Sequence, residues 1–485
     1  MKIENKIWMA SVILATMIGT TSCSDQLSAL PAQEKVEGNL IVDAASAQVA
    51  LNGIYYDYAK CATDNYDIPS TQCAFYQEII PADFAGTVVY YQGPYSLESH
   101  GIASMVQYTS YLWSYFYSVL SAANGVLEQV DKTSESMFTG NRRNEILGEA
   151  TFMRAFAHYN LMHWYTQFWK YDSSYGLLIR TSTVKAGTIA KDRSTVKESY
   201  DCILSDLDYA IANCPDTNPN YYANKWIAKG LKARVLMMRG QGTDYADAAV
   251  LCKGIIDNGP YALETNLEDV FHAKGLNSSE VMFGIQPKSG QSDVLTQYYY
   301  RSAAQYYPTD NFLALFNNDP RKDWLFDTQQ AINGYGQIVA ATTICKHMKK
   351  ALKVASTLEE SQYQMRLTEM YLLRAEALVY TSGVNEESKT LLKTILGHAG
   401  VTDFSAVDNA TTKEELLKQI FNETLRNLFC ESGREMDMMM RMPSSIVTAF
   451  NPAYSVENTN IMPIPVSEFK YNKALREQNP GYSKE

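Results

Sequence analysis

Between residues 141 and 168 the apolar positions Ile146, Ala150, Met153, Ala157, Leu161, Trp164 and Phe168 recur at intervals of four or three. That period lines one face of a helix and no face of a strand, so the segment must pack against other helices. Helical patterning also marks residues 42–58, 104–130, 194–213, 222–239, 243–258, 361–378, 385–397, 412–431 and 433–441. The helices tend to come in pairs joined by short turns, as at Gly240-Gln241-Gly242. A helix pair that cannot bury its faces alone is the unit of a tetratricopeptide-like superhelix. The expected fold is mostly α: a scaffold of tetratricopeptide-like helix pairs with large irregular loop insertions and few short strands. No tidy repeat of about 34 residues is visible, so the repeats are degenerate.

Two stretches interrupt the helices. Residues 60–103 carry Pro69, Pro81, Gly86, Gly93, Pro94 and Gly101, and residues 260–355 hold strand-like pieces among turns. Loops of that length in a compact protein are usually functional.

The N-terminus reads as an export signal over residues 1–22, with Lys2 and Lys6 ahead of an apolar run at 7–19 and small residues before Cys23. Cys23 stands where a bacterial lipoprotein is lipidated, and residues 23–40 form a polar tether. The remainder, 41–485, reads as one unit built on a single scaffold. No later stretch reaches 18 apolar residues, so no membrane helix is expected. Cys61 and Cys73 are the most plausible disulfide pair of an exported chain; Cys202, Cys214, Cys252, Cys345 and Cys430 mostly fall in helical patterns and read as buried thiols.

The net charge of −11 argues against nucleic acid as a partner, because phosphate binding needs a concentrated basic surface. The sequence has no zinc-type spacing, nucleotide loop or GxSxG motif, and its six His, with His158 and His163 five apart, show no ligand pattern. Asp64, Asn65 and Asp67 read as a solvated turn. Glu149, Glu376 and Glu431, near Arg154, Arg374 and Arg434, read as structural ion pairs. A glycosidase using such helix carboxylates is the alternative, since glycoside hydrolysis needs only two facing acids. Neither metal nor cofactor is expected, and the chain is not read as an enzyme.

Tyrosine is twice as frequent as phenylalanine, 34 against 17. Tyr108, Tyr111 and Tyr115 have helical spacing and are expected in the core. Tyr90, Tyr91 and Tyr95 fall in the first loop region, and Tyr298, Tyr299, Tyr300, Tyr306 and Tyr307 in the second. A sugar ring has apolar C–H faces and a rim of hydroxyls, so an aromatic that stacks and also hydrogen-bonds suits it. Asp83, Gln92, Gln297, Arg301 and Gln305 stand nearby to bond hydroxyls. The candidate glycan-binding set is Tyr90, Tyr91, Tyr95, Asp83, Tyr299, Arg301, Tyr306 and Tyr307.

Six segments in order carry a family resemblance: residues 48–55 (QVALNGIY), 122–130 (AANGVLEQV), 147–159 (LGEATFMRAFAHY), 228–236 (AKGLKARVL), 371–378 (YLLRAEAL) and 463–482 (PIPVSEFKYNKALREQNPGY). The chain resembles the SusD/RagB-type outer-membrane nutrient-binding lipoproteins of Bacteroidetes. Residues 423–441 keep Glu423, Glu431, Arg434 and Asp437 of the family pattern but place Thr424, Asn427 and Ser432 where Arg, Glu and Gly are usual. The resemblance implies a helical cradle with a loop-built ligand surface, no catalysis, and a SusC-type TonB-dependent transporter over whose barrel the lipoprotein sits as a lid. It implies glycan capture and anchorage in the outer membrane, facing the cell exterior. Starch-binding members use aromatics after an early "aD" motif, here Ala82-Asp83, and in loops midway along the chain. That correspondence puts Tyr90 and Tyr91 in the first position and Tyr299, Tyr306 and Tyr307 in the second. Peptide capture on the same scaffold and gating of the transporter without ligand affinity remain as alternatives.

Overall fold

The computed structural model describes residues 40–59, 75–90, 106–286, 304–332, 337–347, 361–454 and 462–484. Its scaffold is a succession of helices: α1 (Ala44–Ala59), α2 (Ile80–Ala85), α3 (Val106–Lys132), α4 (Arg142–Tyr165), α5 (Val196–Asn213), α6 (Lys225–Arg239) and α7 (Asp244–Asn258). After the second loop region follow α8 (Leu367–Ser382), α9 (Glu386–His398), α10 (Lys413–Leu428), α11 (Arg434–Arg441), α12 (Ser444–Phe450) and α13 (Val466–Tyr471). Each of α3 to α9 packs against its neighbour in this order, α1 lies against α3 and α4, and α10 joins α8. The short turns between α6 and α7 and between α8 and α9 force each pair to run antiparallel, which gives the expected tetratricopeptide-like course.

Local chemistry sets the helix ends. Thr195 and Glu198 form a reciprocal capping box at the start of α5, and Thr412 and Glu415 do the same for α10. The side chain of Asn224 accepts from the amides of Trp226 and Ile227 at the start of α6, and Gly240 ends that helix with φ +59°. The predicted apolar face of α4 is buried from Ile146 to Trp164, and nearly all other residues of its last five turns are buried too, because α1, α3 and α5 enclose it.

Six short strands pair as three antiparallel ribbons: β1 (Val88–Tyr90) with β3 (Tyr306–Pro308), β2 (Val281–Ile285) with β6 (Gln362–Arg366), and β4 (Phe326–Ile332) with β5 (Ile338–Ile344). Three expectations need correction. The helix expected from 361 starts only at Leu367, because Gln362–Arg366 pairs with β2 as a fully buried strand. The first loop region, expected to be irregular throughout, contains a π-helical turn (Phe75–Ile79), α2 and β1. Tyr111 is 44% exposed whereas Tyr115 is core as expected, and the side chain of Tyr108 lies outside the described residues.

The C-terminal motif has a mechanical role. Asn479 donates to the carbonyls of Tyr165 and Met462 and accepts from Arg193, while Gln478 exchanges two 2.8 Å bonds with the backbone of Ile464. Both side chains are buried, so the tail is pinned to the end of α4 by bonds shielded from water.

Ser432 adopts φ +50° between Cys430 at +55° and Gly433 at +71°. The glycine usual in the resembling pattern would adopt that left-handed backbone without cost. Here the Ser432 hydroxyl instead donates to Gln364 Oε1 at 2.8 Å, which offsets part of the strain.

Candidate ligand-binding site

The two loop regions meet at the β1–β3 ribbon. Val88 stands opposite Pro308, Val89 opposite Tyr307 and Tyr90 opposite Tyr306. Opposed residues of an antiparallel pair share a face. Tyr90 and Tyr306 therefore meet on one side, their ring centroids 5.3 Å apart and their planes tilted by 54°. Val89 and Tyr307 take the other side, where the Tyr307 hydroxyl donates to the Ala304 carbonyl at 2.9 Å. Tyr90 and Tyr307 are half-buried, and Tyr90 packs against the core.

Next to this ribbon lies a cleft of about 370 Å³, bordered by Phe84, Val89, Pro308, Asp310, Asn311 and Tyr454 among others. Its volume is in the range of small-molecule sites. Hydrogen bonds between remote segments hold its walls together. Thr309 donates its amide to Thr87 O at 3.1 Å and its hydroxyl to Gly86 O at 2.7 Å. Asn451 Nδ2 reaches Ala85 O at 3.3 Å, and Asn311 Nδ2 reaches Phe450 O at 2.8 Å. Gly86 turns the chain with φ +79°, and a Cβ there would lie 2.6 Å from Asn451 Nδ2. The residues from Phe450 to Tyr454 were not anticipated as part of a site; no local signal announces that they return to a segment 366 positions earlier.

The anticipated set divides. Tyr90 and Tyr307 lie half-buried in the ribbon, but Tyr306 is 2% exposed and Asp83 1%. Strand alternation turns Tyr306 inward beneath Tyr90, and Asp83 belongs to α2, every residue of which is buried. Neither presents a surface for a ligand to lie on, which corrects their expected role. Tyr91, Tyr95, Tyr299 and Arg301, with Gln92, Gln297, the Cys61–Cys73 pair, the Asp64–Asp67 turn, His100 and Cys23, lie outside the described residues.

The helix carboxylates are interior ion pairs, although their partners differ from the sequence neighbours expected. Glu149 meets Arg142 at 3.4 Å, Glu376 meets Arg441 at 2.8 Å, and Glu431 meets Lys346 at 2.5 Å and Arg366 at 2.7 Å. Arg154, Arg374 and Arg434 instead hold Asp206, Glu387 and Asp437. Each of the three glutamates is at most 3% exposed.

His158, Cys202 and Asp206 bring possible metal ligands within 4.8 Å of one another. Arg154 already engages both Asp206 oxygens, at 2.8 and 2.7 Å. His158 Nε2 accepts from the Arg180 amide at 3.3 Å, which leaves the proton of the neutral ring on Nδ1, and burial pushes the Cys202 thiol up to about 12. A protonated nitrogen, a protonated thiol and a carboxylate paired with guanidinium do not suit a cation. Cys214, Cys252, Cys345 and Cys430 are buried, as the helical pattern implied for most of them.

Comparison with known families bears on both halves of this scaffold. Residues 52–237 match a family model described as "Starch-binding associating with outer membrane", and residues 335–482 match the model of the SusD family. The chain belongs to the SusD/RagB family. A SusD-like protein of Bacteroides ovatus is 26% identical over 182 residues, 36% of this chain and 32% of that protein, so the match spans about one third of that relative. A SusD superfamily protein of Parabacteroides distasonis, 19% identical, superposes with a TM-score of 0.73 over 90% of this chain and 99% of that one. A laminarin-binding SusD-like protein, 17% identical, gives 0.68 over 91% and 100%. These likenesses fix the SusD fold, mostly helical and tetratricopeptide-like. Among the described residues of this SusD/RagB chain, no helix is long and apolar enough to cross a membrane.

Proposed function

We propose that the protein is a cell-surface lipoprotein that captures a glycan by aromatic stacking and hydrogen bonding and hands it to a SusC-type TonB-dependent transporter. The observation that carries this reading is the register of β1 and β3. It joins the two tyrosine-bearing regions, sets half-exposed Tyr90 and Tyr307 on opposite faces of one ribbon, and puts a cleft beside that ribbon at Val89 and Pro308. A half-exposed tyrosine beside a pocket lined with amides and a carboxylate suits a sugar's apolar face and polar rim. A structural neighbour named for laminarin binding and a family model described as starch-binding add support.

In this reading Cys23 carries the lipid, the segment to residue 40 is the tether, the unit 41–485 faces the cell exterior, and no bond is made or broken. The burial of Glu149, Glu376 and Glu431 inside ion pairs supports the absence of catalysis, since a glycosidase acid must reach its substrate. The test is binding of the full chain to an array carrying both glycans and peptides. Retention by glycans supports the reading. Retention only by peptides replaces it with peptide capture.

A further inference from the structure

Asp310 occupies the first position of the short helix Asp310–Ala314, is exposed, and borders the cleft. Among the described residues no hydrogen bond or ion pair engages its carboxylate, and no Lys, Arg or His stands among the residues lining the cleft. The other polar groups serve the wall. The Thr309 hydroxyl donates to Gly86 O and accepts from the Phe312 amide at 3.3 Å. Asn451 donates to Ala85 O and accepts from the Ala453 amide at 3.1 Å. Asn311 anchors Nδ2 on Phe450 O, which leaves Oδ1 as an available acceptor.

Among the described residues, a ligand in this cleft thus meets a carboxylate, an amide oxygen and aromatic edges, and no cationic side chain. We propose that the cleft binds an uncharged sugar and that Asp310 is the residue that sets this preference, accepting hydrogen bonds from sugar hydroxyls and repelling sulfate and uronate groups. The proposal rests on the glycan reading above and narrows it to neutral glycans. A hydroxyl donating to an ionised carboxylate makes a charge-assisted bond, stronger than one between neutral groups. An anionic substituent at the same place meets a like charge and loses the hydration it had in water.

The test uses the full chain on an array of neutral, uronate-bearing and sulfated oligosaccharides. Titrations of the strongest neutral glycan and its sulfated derivative then follow in about 0.15 M salt, where screening acts over about 8 Å and contact charges still count. The wild-type protein is expected to prefer the neutral member by about tenfold or more, equivalent to about 1.4 kcal/mol. Asp310→Asn is expected to weaken neutral binding several-fold while circular dichroism stays unchanged, and Asp310→Lys to reverse the preference. Equal or tighter wild-type binding of the charged member overturns this inference and leaves glycan capture standing, as does unchanged neutral binding by Asp310→Asn. Binding of no glycan of either kind overturns the parent reading, and this one with it.

Discussion

Arg366, the last residue of β6, grips both oxygens of Glu431, Nε to Oε2 at 2.7 Å and Nη2 to Oε1 at 2.9 Å, with neither residue more than 3% exposed. This bidentate pair lies where β6 meets the junction of α10 and α11, and it extends to Lys346 on one side and to Glu280 and His398 on the other. A buried guanidinium is tolerable only while its anions stay in place.

Glu431→Gln removes one of those anions and leaves Arg366 and Lys346 under-compensated in the interior. The expected loss is about 3 kcal/mol of stability, at the lower end for a broken buried pair. The urea midpoint checks it. A midpoint unchanged within error would mean that the network carries little of the fold.

Glu149 gives the fold a pH dependence of definite sign. Burial pushes its carboxyl up to about 7, against the opposing pull of Arg142 and the hydrogen bond from Tyr55. Its ordinary value is 4.5, so between the two values the folded protein holds a proton that the unfolded chain has released. This contribution to stability is full below the ordinary value and is lost as pH rises through the folded one. Glu149→Gln should therefore gain stability relative to wild type between pH 5 and pH 8. Denaturant titrations of both proteins at the two pH values test this, and a gap that widens against the variant would contradict it.

Gly86→Ala combines two penalties, a left-handed backbone at φ +79° and a Cβ too near the Asn451 amide. About 1–2 kcal/mol of destabilisation is expected, from the backbone strain and the loss of the Asn451 bond to Ala85. Calorimetric melting checks the first part. Because Asn451 also lines the cleft, ligand affinity should fall together with stability.

Much of the scaffold was legible because helices announce themselves locally. The apolar positions from Ile146 to Trp164 recur with the helical period, and α4 runs from Arg142 to Tyr165. The strand Gln362–Arg366 is not legible locally because its buried residues include two glutamines and an arginine, and Arg366 and Gln364 find interior partners on distant segments. The same limit affected the ion pairs. Arg154, Arg374 and Arg434 are near the three glutamates in sequence, yet Arg142, Arg441 and Arg366 reach them in space. In the candidate site, Tyr90 and Tyr307 were recognisable as loop tyrosines. The inward turn of Tyr306 depends on strand register, and the approach of Asn451 to Ala85 depends on the whole fold.

The most direct test of glycan capture is a titration of the array's strongest glycan into the wild-type protein and into the double variant Tyr90→Ala, Tyr307→Ala. Circular dichroism should be unchanged, because both rings sit at the rim of the core. The account predicts at least a tenfold loss of affinity, about 1.4 kcal/mol, from removing the ring on each face of the ribbon. Wild-type affinity in a folded double variant would contradict it.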